Sequence, residues 1–310
     1  MTDASTTPRR VALLVNPTAG HGHGEATGQA VAARLRAAGL DVTSLRGTDI
    51  DHAAQVAAEQ VAAGVDHLVV LGGDGMTHVG LNATAGTGTS LGLIPRGTGN
   101  DFARALGLPR NDPLAAADIV VAGHVALIDA GRIVRDEPAA KPVWFATVLA
   151  VGFDSRVAAR ARSTRFLSGN ARYVACVVAE LKRFLSTPLR LTLDGHSEDG
   201  TRMLVAVGNT STYGGGLQMC AGADPTDGWF SVVEVTDISR LELLQLFPRL
   251  YRGTHLTHPA VTMRRAREVR LEMLSDETLI GFADGEPIGA LPMTATCEPG
   301  ALRMLVPPPR

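Results

Sequence analysis

Along the first hundred residues, hydrophobic and polar positions fall into two alternating textures. Short apolar runs at 11–15, 67–71 and 91–95 each end in a glycine-bearing polar turn, the pattern of strands buried on both faces. A further strand is predicted at 41–45. The alanine-rich stretches 24–38 and 51–63 stop at Gly39 and Gly64, and 76–85 forms a third such segment; all three read as helices. Strand and helix alternate with short connections, which predicts a parallel sheet covered by helices, with ligands beyond the carboxyl ends of its strands.

From about residue 125 the texture changes. Apolar or alternating runs at 126–134, 143–153, 189–193, 203–207 and 230–235 predict strands, as do 261–273 and 278–282, with helices near 173–184 and at 240–251. The neighbourhood of Lys141 and Pro142, after Asp136, Glu137 and Pro138, reads as a hairpin loop. A last strand is expected at 302–306. The chain of 310 residues suits two domains: a disordered start at 1–9, an α/β domain over 10–124 to which a strand near 300–306 returns, and an antiparallel β domain over 125–299.

Composition narrows the function classes. A net charge of -2 and 4% aromatic content give neither the basic field nor the stacking surface that nucleic-acid binding uses. Cys176, Cys220 and Cys297 lack metal-ligand or disulfide-framework spacing, so buried free thiols are expected. The polar N-terminus lacks the apolar core of a secretion signal, and no segment offers the roughly 18 uncharged apolar residues of a spanning helix. These features predict a soluble cytoplasmic protein. Arg156, Arg160, Arg162, Arg165 and Arg172, with Lys182 and Arg183, could meet anionic headgroups, and so could Arg264, Arg265, Arg267 and Arg270. A solvated face is the commoner use of such runs.

The candidate chemistry lies in three turns that follow strands. In Gly72, Gly73, Asp74 and Gly75, the absence of side chains lets backbone N–H groups approach a phosphate, and Asp74 can reach magnesium through water or orient the loop. Asn16, Pro17, Thr18, Ala19 and Gly20 form a second polar turn. The third is Pro95, Arg96, Gly97, Thr98, Gly99, Asn100 and Asp101. Here Thr98 can donate its hydroxyl to a phosphate, while Asn100 and Asp101 either cap the following helix or meet the ligand. A GGDG turn also ends strands for steric reasons alone, and Asp284 with Gly285 suits an ordinary hairpin turn.

Read together, NPTAG (16–20), GGDG (72–75) and PRGTGNDFAR (95–104), followed by GNTSTYGGG (208–216), ADPTDGWF (223–230) and ADGE (283–286), resemble the diacylglycerol kinase catalytic domain family of soluble lipid kinases. Its relatives include sphingosine and ceramide kinases. The resemblance covers nearly the whole chain. It implies an N-terminal α/β domain of the NAD-kinase and diacylglycerol-kinase type and a C-terminal antiparallel β-sandwich domain for lipid and metal.

The implied reaction moves the γ-phosphate of ATP to the hydroxyl of membrane-held diacylglycerol, giving phosphatidic acid. Mg2+ is the implied metal, peripheral membrane contact the implied approach, and a homodimer a possible assembly. For nucleotide the resemblance implies Asn16, Pro17, Thr18, Ala19, Gly20, Thr48, Gly72, Gly73, Asp74, Gly75, Met76, Thr77, Thr98, Asn100 and Asp101. For metal it implies the Asp227 side chain with the carbonyls of Asp224 and Trp229. Glu286 is the implied general base, beside Asp284. The chain departs from the family at Met76, where threonine is usual, at Val79 in place of glutamate, at His21 in place of lysine, and at Thr226 in place of an acid. Two alternatives stay open at this point: a kinase for another lipid alcohol or an NAD-kinase-like enzyme, and a catalytically weakened nucleotide-binding regulator.

Overall fold

The computed structural model describes residues 8–153, 155–157, 160, 176, 186–236 and 238–309. The start expected to be disordered lies outside these residues apart from Pro8 and Arg9. So does the helix expected at 173–184, apart from Cys176, and so do Arg162, Arg165, Arg172, Lys182 and Arg183. The chain divides into two compact units, Met1–Ile128 with Ala301–Arg310, and Asp129–Gly300.

The first unit contains β1 (Arg10–Val15), α1 (Ala19–Gly22), α2 (Gly24–Ala37), β2 (Asp41–Arg46), α3 (Ile50–Ala62), β3 (His67–Gly72), α4 (Asp74–Thr84), β4 (Ser90–Pro95), α5 (Asp101–Ala105) and α6 (Pro113–Ala122). The four strands are parallel in the order β2-β1-β3-β4. Met304, late in the last strand (Met293–Leu305), pairs in parallel with Leu91 of β4. Helix α6 escapes a periodicity search because its apolar residues lie all round. Its end signals are nonetheless complete: the Asp112 carboxylate accepts the Leu114 and Ala115 amides, Pro113 opens the first turn, and Gly123 closes it in the left-handed conformation.

Helices cover both faces of this sheet. Leu13, Val69, Leu71 and Ile94 pack with Val31 and Leu35 of α2 and Val120 of α6. Side chains alternate along a strand, so Val70 and Leu91 face the other way, against α4. A Cβ on Gly80 of α4 would lie 2.7 Å from Leu91 and 2.9 Å from Val70, so α4 approaches this closely only because residue 80 is glycine. With both faces covered, the glycine turns occupy the carboxyl edge, where β1, β3 and β4 end.

The second unit holds most of β5 (Val125–Arg135), then β6 (Val143–Phe145), β7 (Val148–Gly152), β8 (Thr187–Leu193), β9 (His196–Arg202), β10 (Leu204–Gly208), β11 (Phe230–Val235), α7 (Arg240–Leu250), β12 (Val261–Ala266), β13 (Glu268–Met273), β14 (Ile280–Ala283), β15 (Glu286–Ala290) and the start of β16 (Met293–Leu305). An antiparallel sheet runs β12-β11-β10-β7-β14-β15. Opposite it, β8 pairs with β9 and β13, β13 pairs with β16, and β5 pairs with β6. Phe145, Leu149, Leu191, Val207, Phe230 and Leu271 come from both sets of strands and share one core, which makes the unit a β-sandwich. The outer face of the six-stranded sheet packs Ala206 and Val233 against Leu243, Leu246 and Leu250 of α7.

Two runs read as single strands are corners instead. Residues 143–153 split into β6 and β7, and 261–273 into β12 and β13, with the halves in different sheets. At the first corner the Asp284 carboxylate accepts the amides of Ala146 (3.0 Å) and Thr147 (2.8 Å). At the second, Asp194 Oδ1 accepts the amides of Arg267 (2.9 Å) and Glu268 (2.8 Å). A hydrophobic run does not reveal such a corner, because the acceptor lies far away in sequence. Strand β9 was missed for another reason: HSEDGTR is polar, as suits a strand at a sheet edge.

Two sets of buried ionisable groups shape stability. Arg202, 5% exposed, donates to Glu234, also 5% exposed, at 2.7 Å, and Arg264 reaches the other Glu234 oxygen at 2.6 Å and Glu198 at 2.8 Å. Much of the basic run at 264–270 is thereby spent inside the unit, since Arg270 also pairs with Asp136 and Glu272. His67 and His255 are buried, and burial first, reinforced for His67 by the Arg9 charge, holds both imidazoles below the ordinary 6.5. Cys176, Cys220 and Cys297 are free and buried, as expected. Burial pushes the thiols of Cys220 and Cys297 up to about 12.

Glu234→Ala strands the buried Arg202 guanidinium and should destabilise the protein by about 3–5 kcal/mol, measured as a lowered urea midpoint. Because the unfolded chain takes up protons on its histidines near pH 6.5 while buried His67 and His255 do not, stability is complete above that pH and falls below it. Thermal midpoints measured from pH 7 to 5.5 should drop, and His67→Leu should flatten part of that slope.

Candidate active site

The three turns of the first unit are bonded into one structure. The Asn16 amide donates to the Leu71 carbonyl at 3.0 Å, and the Asn16 side-chain oxygen accepts the Thr18 amide at 3.0 Å and the Thr18 hydroxyl at 2.8 Å. Arg96 joins all three turns through its backbone. Its amide donates to the Gly72 carbonyl at 2.7 Å, and its own carbonyl accepts the Gly20 amide at 3.1 Å. A Cβ on Gly97 would lie 2.5 Å from the Gly73 Cα, so the 72–75 and 95–101 turns touch backbone to backbone.

Asp74 completes this assembly. Its carboxylate accepts the Asn100 amide at 3.0 Å and the Asp101 amide at 2.9 Å, orienting the loop as one of its two expected uses required. The expected capping by Asn100 is not what the structure shows. Asn100 adopts φ 49 and makes no side-chain cap bond. Its amide group instead bonds both backbone groups of Gly97, at 3.1 and 2.8 Å, and Asp74 caps α5 from another loop.

The remaining nucleotide candidates vary in placement. Thr98 is exposed at this edge, and Thr48 is exposed just beyond β2, where its hydroxyl donates to Asp49 at 3.0 Å. Pro17 is half-buried and Ala19 is buried. Gly75 lies in the first turn of α4, and the Thr77 hydroxyl donates to the Gly73 carbonyl at 3.4 Å. Met76, only 5% exposed, folds its side chain against Gly72 and so belongs to the core.

A second network organises the candidates of the other unit. Asp129, 3% exposed, accepts the Gly228 amide at 2.7 Å and the Gly300 amide at 2.8 Å, while its own amide donates to the Pro225 carbonyl at 2.7 Å. It therefore braces the 223–230 loop at Pro225 and Gly228. Buried Asn209 donates to the carbonyls of Asp129 (2.8 Å) and Ala146 (3.0 Å), and the Asn209 and Thr210 amides donate to the Thr147 carbonyl. Thr147 donates its hydroxyl to Asp284 at 2.5 Å. The 208–216, 223–230 and 283–286 motifs are thus one bonded cluster.

Asp284 and Glu286 diverge within this cluster although one residue separates them. Asp284 and Gly285 take φ 53 and 82 in the hairpin turn, and the Asp284 carboxylate turns inward to the 146–147 corner. Glu286 is half-buried and opens β15, paired with Ala283. Asp129, Thr147 and Asn209 were not anticipated. The signal for Asp129 was present as one acid inside an apolar strand, whereas the other two depend on distant partners.

At the expected metal position, Asp227 Oδ1 accepts the Trp229 amide at 3.0 Å and Oδ2 pairs with Arg265. The Asp224 side chain accepts the Thr226 amide (3.0 Å) and hydroxyl (2.7 Å), and its carbonyl, the expected ligand, accepts the Asp227 amide at 3.5 Å. Among the described residues no three His, Cys, Asp or Glu side chains cluster as a metal cage. One carboxylate plus backbone carbonyls is nevertheless an all-oxygen donor set, which fits Mg2+ completed by water, with Arg265 competing for Asp227. Arg267 and Arg265 lie 4.4 and 5.4 Å from the Trp229 ring.

The chain matches known proteins over nearly its whole length. Residues 10–133 match the family described as diacylglycerol kinase catalytic domain, and residues 147–306 match the YegS C-terminal NAD kinase beta sandwich-like domain. A Mycobacterium tuberculosis protein named diacylglycerol kinase is 42% identical over 96% of this chain and 95% of its own. The chain belongs to the diacylglycerol kinase family. A diacylglycerol kinase of Staphylococcus saprophyticus is 28% identical over 92% of this chain and 91% of its own. The crystal structure of a diacylglycerol kinase from Bacillus anthracis shares the fold with TM-score 0.73 and 23% identity, over 98% of this chain and 99% of that one.

Asp129→Ala leaves the Gly228 and Gly300 amides without their acceptor. A loss of about 2–4 kcal/mol is expected, read by chemical denaturation, and a stability equal to wild type would refute the bracing assignment.

Proposed function

We propose that the protein transfers the γ-phosphoryl group of ATP to the free hydroxyl of diacylglycerol, giving phosphatidic acid and ADP. The observation that carries this reading is the bonded cradle of residues 16–20, 72–75 and 95–101, in a chain 42% identical to a protein named diacylglycerol kinase. Nucleotide phosphates meet the turn amides that the cradle's own bonds leave over and the exposed Thr98 hydroxyl, on the sheet edge where such ligands bind.

Glu286 takes the proton of the lipid hydroxyl as that oxygen bonds to the γ-phosphorus and the β–γ bridging bond breaks. Asp284 acts as a positioning residue, fixing the turn that presents Glu286. Mg2+ would be held by the Asp227 carboxylate and the carbonyls of Asp224 and Trp229, and would supply positive charge to a phosphate-bearing site. No helix among the described residues is long and apolar enough to cross a membrane. In this reading the protein is a cytoplasmic peripheral enzyme that meets its lipid at the bilayer surface.

The test is radiolabelled phosphate transfer from ATP to diacylglycerol in mixed micelles, with sphingosine, ceramide and NAD as competing acceptors, with and without Mg2+. Wild-type protein should label diacylglycerol in a Mg2+-dependent manner. Glu286→Gln should lower kcat roughly 10²- to 10⁴-fold while the thermal midpoint is kept. Preferential labelling of another acceptor would overturn the substrate assignment, and unchanged turnover in Glu286→Gln would overturn the base.

A further inference from the structure

Arg96 contributes more than its backbone to the cradle. Among residues 16–20, 72–77 and 95–101 it is the single lysine or arginine, against two acids, Asp74 and Asp101. The acids are occupied: Asp74 by the α5 amides, and Asp101 by Arg104 at 3.7 Å. Arg96 is different. Its Nε is buried without a hydrogen-bond partner, and among the described residues no carboxylate or carbonyl accepts from its guanidinium.

The position of that guanidinium is specific. It lies flat across Gly20, where a Cβ would come within 2.6 Å of Nη2 and 2.8 Å of Cζ and Nε. Gly20 has φ 60, so both its conformation and the space above it are reserved by the absence of a side chain. A half-buried cation held over one glycine turn, with donors left over, is costly unless an anion completes it.

We infer that the Arg96 side chain is the phosphate-binding cation of the nucleotide cradle, donating to ATP phosphate oxygens across Gly20. The inference deepens the nucleotide part of the proposed function and rests on it. Backbone and side chain do separate work here. The Gly72 and Gly20 bonds use the Arg96 main chain, so they survive any non-proline substitution, and a side-chain variant isolates the phosphate contact. The planar, forked guanidinium can present two donors to one phosphate, which an ammonium cannot match.

The experiment is calorimetric titration of the full chain with Mg-ATP, ADP and adenosine, alongside steady-state kinetics, for wild type, Arg96→Met and Arg96→Lys. Arg96→Met should weaken ATP and ADP binding roughly 10- to 100-fold, leave adenosine affinity and the thermal midpoint unchanged, and raise KM for ATP without changing KM for diacylglycerol. Arg96→Lys should recover part of the loss. Equal ATP affinity in wild type and a folded Arg96→Met, or an equal loss for adenosine, overturns the Arg96 inference alone. ATP binding by wild type without lipid phosphorylation overturns the lipid reading and leaves Arg96 standing. No ATP binding by wild type overturns both. Should Arg96→Met fail to fold, Arg96→Lys with wild-type affinity for all three ligands and no change in the salt dependence of ATP binding overturns the forked contact.

Discussion

Where this chain turns sharply, a carboxylate from a remote segment accepts the amides that the turn leaves over. Asp74 serves residues 100 and 101, Asp129 serves 228 and 300, Asp194 serves 267 and 268, and Asp284 serves 146 and 147. Secondary structure cannot satisfy a backbone N–H at a corner, and leaving it buried without a partner is expensive. A charged acceptor makes a stronger bond than a neutral one, so each aspartate fixes two points of chain at once. Both candidate networks are built on this device.

The same device explains which parts of the fold were legible in the sequence. Buried parallel strands and alanine-rich helices carry their own local patterns, so β1, β3, β4, α2 and α3 could be placed within a residue or two. The antiparallel character of the second half was legible for the same reason. Corners were not. The apolar run at 143–153 looks continuous because its break depends on Asp284, more than 130 residues away. Helix α6 was hidden by an apolar surface on every side, and β9 by a polar one.

The candidate site was legible to the extent that its motifs are contiguous. The glycine turns and the acids at 227 and 286 stand out in the sequence, but their division of labour does not. Asp74 could have faced a metal or the loop, and only the position of the Asn100 and Asp101 amides distinguishes these. Asp284 and Glu286 look like a pair, yet the first is drawn into the backbone of a corner while the second begins a strand. Met76, a departure from the family pattern, becomes intelligible once it is seen covering Gly72. There its side chain packs against the glycine as part of the core.

The buried thiols carry a practical consequence for chemistry on the surface. At a thiol pKa of about 12, as for Cys220 and Cys297, only about one molecule in 10⁵ carries the reactive thiolate at neutral pH, and Cys176 is equally shielded from solvent. The exterior is therefore silent toward mild alkylating and maleimide reagents. A cysteine introduced beside Gly20 or Glu286 would react against almost no background, and the native chain could carry a single spectroscopic label without first being stripped of its own sulfur.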